Sequence, residues 1–107
     1  MPTLLKSENK FDTLENIIFS EKLKIANLDF HPEQDLMLII LNTGLVLRAK
    51  LSSFTSLKKS NKTQLRKYEL VANGTGVHWE SLDEDLSLKG LLRDHMINIL
   101  KSNYVVG

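Results

Sequence analysis

The residues best equipped for chemistry gather in one short stretch: His78, Glu80, Asp83, Glu84 and Asp85. Carboxylates and an imidazole can ligate a hard cation or act as general acid and base. Their spacing favours neither role. Asp83, Glu84 and Asp85 are consecutive, so their side chains diverge, and no second cluster elsewhere completes a site. The simpler expectation is that solvent and the positive end of a following helix hold these carboxylates. His31 adjoins Pro32 in a turn and His95 falls at the edge of a helical stripe; neither shows the spacing of a Ser–His–Asp arrangement. Gly74-Thr-Gly76 lacks the Gly-Lys-Ser continuation of a phosphate loop and joins two strands, which makes it a hairpin. The chain has no cysteine, which removes thiolate nucleophiles, thiolate metal sites and disulfides. No catalytic residue, metal or cofactor is indicated.

Charge is distributed unevenly although the net charge is +1. Between Arg48 and Lys67 stand seven of the fourteen basic residues and no acid, and between Glu80 and Asp85 four of the thirteen acids and no base. Lys58, Lys59, Lys62, Arg66 and Lys67 could track a phosphate backbone. Beyond Phe54 no aromatic residue interleaves with them and the pI is about 8.0, so a solvated face is the simpler reading.

The elements that must position these residues follow from pattern and punctuation. Tyr68–Ala72 and Gly76–Glu80 alternate as half-buried strands around Asn73-Gly74, a two-residue hairpin signal. Val77 and Trp79 share one face, with Trp79 in the core, and His78 and Glu80 share the other. Asp83, Glu84 and Asp85 then precede Ser87, an N-cap candidate, with Leu86 and Leu91 at the positions of a hydrophobic staple. Leu88, Leu91, Leu92, Met96, Ile99 and Leu100 form one stripe, which predicts a helix from 87 to about 101.

Upstream, Asp12-Thr-Leu-Glu15 resembles a capping box, and a short helix or an extra strand is expected over 12–20. Strands are expected near 22–30, with Ala26, Leu28 and Phe30 on one face and a bulge marked by the change of phase after Ile25, and at 35–42 and 45–51. The unbroken apolar run Leu36–Leu41 suggests a strand covered on both faces, and Asn42-Thr-Gly44 a tight hairpin. Residues 52–67 are expected to form helical turns anchored by Phe54, Leu57 and Leu65. Residues 1–10 lack periodicity and are expected to fray, and 102–107 form a tail in which Tyr104–Val106 could add a strand.

At 107 residues, with 42% hydrophobic and 25% charged residues, the chain is expected to bury about two thirds of its unfolded surface as one domain. This divides it into an N-terminal extension over 1–20, a domain over 21–101 and the tail. The start lacks a basic segment followed by an apolar run and a cleavage site, so a cytoplasmic location is expected. The longest apolar run has six residues, against the roughly 20 of a membrane span.

Tyr68-x-Leu70, Gly76-Val-His-Trp79-Glu, Leu82-Asp83-Glu-Asp85-Leu-Ser87 and Gly90-Leu-Leu92, with Asn42-x-Gly44 and Leu51-Ser-x-Phe54 upstream, resemble a family of small bacterial proteins known as domain of unknown function 2442. The resemblance spans about residues 22–93. It implies an α+β domain with a small antiparallel meander, a β-hairpin and a C-terminal amphipathic helix packed on the sheet. It also implies a short chain, sometimes found beside another small protein in an arrangement like a toxin–antitoxin pair, with no established catalytic residues. The expected function is a non-enzymatic interaction domain, an antitoxin-like or regulatory subunit that binds another small protein or itself. Lys58, Lys59, Lys62, Arg66, Lys67, Glu80, Asp83, Glu84 and Asp85 are the candidate contacts, and Trp79, Ser87, Leu91 and Leu92 the structural residues. A nucleic-acid module using 48–67 is the alternative, and an enzyme of unknown type a third.

Overall fold

A computed structural model of the chain describes residues 12–106, with side chains through Lys101. The expected fraying of residues 1–10 lies outside the described residues. Helix α1 (Thr13–Ser20) opens on the capping box: Glu15 N donates to Asp12 Oδ1 at 2.8 Å and Asp12 N donates to Glu15 Oε1 at 3.1 Å. These reciprocal bonds satisfy donors that a strand would not leave free, so the segment is helical.

Strands β1 (Ile25–His31), β2 (Leu36–Leu41) and β3 (Val46–Ala49) form an antiparallel meander in that order. Ile25 lies opposite Leu41, whereas Asn27 lies opposite Ile40, so Ala26 is a bulge. The extra residue changes the phase of the strand: Ile25, Leu28 and Phe30 are buried, and Ala26 is exposed instead of sharing their face. On β2, Met37, Ile39 and Leu41 are buried while Leu36, Leu38 and Ile40 are half-buried. The continuous apolar run thus covers one closed face and one partly open face, not two closed ones. Asn42 locks the following turn to the chain ahead of β1, accepting from Lys24 N at 3.1 Å and donating to the Lys22 carbonyl at 3.0 Å.

The basic segment folds into two single-turn helices, α2 (Thr55–Lys58) and α3 (Lys62–Leu65), the second capped by Asn61 and Gln64. Leu57 and Leu65 are fully buried and fix these turns to the core. Strands β4 (Glu69–Val71), β5 (Gly76–Trp79) and β6 (Glu84–Ser87) make a second antiparallel sheet. Val71 pairs with Gly76, so the loop between β4 and β5 has four residues and not two. Ala72 and Asn73 join Gly74 at positive φ, and a Cβ on Gly74 would lie 2.9 Å from Lys24 Cβ, so this position needs glycine. β6 was not expected. Asp83, at φ 51°, turns the chain, and Glu84 and Asp85 then pair with Trp79 and His78. The acidic residues therefore stand in a hairpin, one strand away from the helix start, because pairing with β5 satisfies their backbone groups first.

Helix α4 (Leu88–Val106) follows directly, with Ser87 Oγ accepting from Gly90 N at 3.0 Å as an N-cap. Leu88, Leu91 and Leu92 are buried. Met96, Ile99 and Leu100 continue the stripe but are exposed, as is Ile97, because no described element closes over this part of the helix. The backbone stays helical to Val106, so Tyr104–Val106 adds no strand.

One apolar core joins both sheets and α4. At its centre Phe30, Tyr68 and Trp79 meet edge-on or tilted, with ring centroids 5.9–6.4 Å apart. Trp79 Nε1 donates to the Leu65 carbonyl at 2.8 Å and ties β5 to α3. On each outer edge of the first sheet one backbone donor is held by a side chain. Tyr68 OH accepts from Leu28 N on β1 at 3.2 Å and donates to Asn27 Oδ1 at 2.7 Å. His95 Nδ1 on α4 accepts from Arg48 N on β3 at 3.1 Å.

Candidate interaction surface

The second sheet carries an acidic row on its wet face. Glu69, His78 and Asp85 stand in register across β4, β5 and β6. His78 Nδ1 lies 2.7 Å from Asp85 Oδ1, and Nε2 lies 3.6 Å from Glu80 Oε1. The hydrogen bond to Asp85 holds the imidazole pKa above its ordinary value; partial desolvation opposes this, and the charges of Asp85, Glu80 and Glu69 reinforce it. His78 therefore bridges β5 and β6 through its Nδ1 bond to Asp85, while Nε2 faces Glu80 beyond hydrogen-bond distance. Asp83 and Glu80 are exposed and Glu84 is half-buried. Among the described residues, no group of three or more His, Asp and Glu is placed to hold a metal ion.

The basic surface is built on α2, α3 and the linker after them. Burial of Leu57 and Leu65 turns Lys58, Lys59, Lys62, Arg66 and Lys67 outward, and all five are exposed. The described ion pairs lie elsewhere: Asp29 with His31, Asp85 and Glu80 with His78, and Asp12 and Glu15 with Lys89. Asp35, within reach of the charge of Lys58, is already engaged. Its carboxylate accepts from Ser52 Oγ at 2.6 Å and from Ser52 N at 2.7 Å, and these bonds, with the charges of Lys50 and Lys58, hold its pKa below the usual carboxylate value. A groove of about 580 Å³ between β3 and α4 is lined by Arg48, Lys50 and Lys101 with Leu36 and Ile99, and by none of the five bases of that surface.

The structure therefore brings His78, Glu80 and Asp85 together and gathers the five bases on a separate set of elements, with no described ion pair between the two groups. Trp79, Leu91 and Leu92 are core residues and Ser87 is a cap. Asn42, Tyr68 and His95 work as clamps that pattern reading missed. For Tyr68 the signal was a polar tip on a residue expected to pack; for His95 it was an imidazole at the edge of an apolar stripe.

The model of the family described as Protein of unknown function (DUF2442) matches residues 25–95, and the chain belongs to this family. Among solved structures, a protein of unknown function from Rhodospirillum rubrum is similar, with 28% identity and a TM-score of 0.59, over 67% of this chain and 87% of that one. The solution structure of an uncharacterized protein from Chromobacterium violaceum is similar with 27% identity and a TM-score of 0.62, over 80% of this chain and 78% of that one. No curated protein matches. No helix among the described residues is long and apolar enough to cross a membrane.

Proposed function

We propose that this chain is a non-enzymatic interaction domain that binds another small protein, in the manner of an antitoxin or a regulatory subunit. The observation that supports it is the state of the basic surface: five exposed bases without a described ion partner, while Asp85 and Glu80 of the acidic segment face His78. Pairing of the two surfaces within one chain would be exposed and worth only about 0–1 kcal/mol per pair. Between molecules, the same charges would steer encounter and set orientation.

The test is a triple reversal, Lys58→Glu, Lys59→Glu and Lys62→Glu, measured by calorimetry against the product of the adjacent gene, at low and moderate salt. Binding should weaken most at low salt, and the dependence of affinity on salt should flatten. Unchanged binding at both salts would reduce the bases to a solvated face. Loss of retention on immobilised DNA, with protein binding intact, would favour a nucleic-acid module instead.

A further inference from the structure

The second half of α4 carries large apolar side chains that nothing described in the chain covers. Met96, Ile97, Ile99 and Leu100 are 47%, 41%, 45% and 64% exposed, four of five consecutive positions. Other exposed large apolar residues among those described occur in pairs on separate elements: Ile17 and Phe19 on α1, Leu45 and Val46 at β3, and Leu70 and Val71 on β4. Scattered exposure of that kind is ordinary, but a concentrated run on one helix marks a contact.

The helix period sorts the run into two faces. Ile99 falls on the side of Leu88, Leu92 and His95 and lines the groove against β3. Met96, Ile97 and Leu100 fall together on the outward side. Asp94 and Lys101, two turns apart, lie in line along the flank between Ile97 and the groove, which Lys101 also borders. Both are exposed, and neither belongs to a described ion pair. This arrangement is self-complementary. If two copies of α4 cross antiparallel about a two-fold axis between Ile97 and Asn98, Asp94 meets the partner's Lys101 and Lys101 meets the partner's Asp94. Leu100 then packs by the partner's Met96, and Ile97 lies at the axis. A two-fold contact of this kind uses one patch on both subunits.

We infer that the outward face of α4 over residues 94–101 is the contact between two copies of this chain, paired antiparallel with two reciprocal Asp94–Lys101 ion pairs. The inference rests on the reading of the chain as an interaction domain and deepens it by naming one partner and one face, distinct from the basic surface.

The test is mass in solution against concentration, by light scattering, with circular dichroism to confirm folding. The wild-type chain should dimerise in the micromolar range, and Leu100→Asp should be monomeric. Asp94→Lys and Lys101→Asp should each weaken dimerisation at least about tenfold by placing like charges together. The double swap Asp94→Lys with Lys101→Asp should restore it. Because the chain lacks cysteine, Ile97→Cys should form a disulfide-linked dimer on mild oxidation, whereas Thr43→Cys on the β2–β3 turn should not. A wild-type monomer at millimolar concentration overturns the inference, as does a dimer that survives Leu100→Asp or a double swap without recovery. Either result leaves the calorimetric test of the basic surface standing, so the two readings fail separately.

Discussion

Trp79 is held by its ring and by its one polar atom. The ring fills the space between Phe30 and Tyr68, and the indole N–H satisfies the carbonyl of Leu65. Trp79→Phe keeps an aromatic body but leaves that carbonyl without its donor and a small void beside it. Urea denaturation should show a loss of about 2–4 kcal/mol. His78 makes a different kind of residue-scale prediction. Its folded pKa is raised above about 6.5, the ordinary value, so its bond to Asp85 adds stability that is fully present below that value. That contribution is lost as pH rises through the folded pKa. An NMR titration of the ring should show the raised value, and Asp85→Asn should bring it down. The core role of Trp79 was legible from its alternation with Val77. The Asp85 partner of His78 was not, since it depends on a strand that acidic residues of low β-propensity do not announce.

At the scale of the element, α4 divides at His95. Its first half is capped and buries Leu88, Leu91 and Leu92; its second half is helical with no covering layer among the described residues. Ser87→Ala should therefore cost about 1 kcal/mol and Leu92→Ala about 2–5 kcal/mol. Leu100→Ala, measured at a concentration where the chain is monomeric, should stay within about 0.5 kcal/mol of wild type. Denaturation of the three variants checks the division. The period of the stripe was readable in the residues themselves. Where its burial ends was not, because that depends on how far β3 and α1 reach along the helix. The bulge at Ala26 shows the same limit: the change of phase after Ile25 announced it, but the residue that would be pushed out depended on the register with β2.

Across the whole molecule, composition revealed two charge segments, and folding keeps them on different elements. The bases at Lys58, Lys59 and Lys62 make no described ion pair, so reversing all three should shift folding stability by no more than about 0.5 kcal/mol per site. Thermal denaturation of the triple variant checks this, and any loss of binding can then be assigned to the surface. Position along the chain could not decide whether the segments meet, because that required the path of the loop from β3 to β4 over the core.

The clamps on the two edges of the first sheet bear on the order in which the protein opens. The amide of Leu28 is held by a hydroxyl 40 residues away, and that of Arg48 by an imidazole 47 residues away. Neither amide can be protected by the meander alone. Their exchange with deuterated solvent reports the docking of the second sheet and of α4, whereas the amides of β2 report the meander itself. Tyr68→Phe should accelerate exchange at Leu28 and leave Arg48 unchanged. If both Leu28 and Arg48 exchange faster than the β2 amides in the wild-type chain, the second sheet and α4 undock while the first sheet stays formed, and the meander is the last part of the molecule to open.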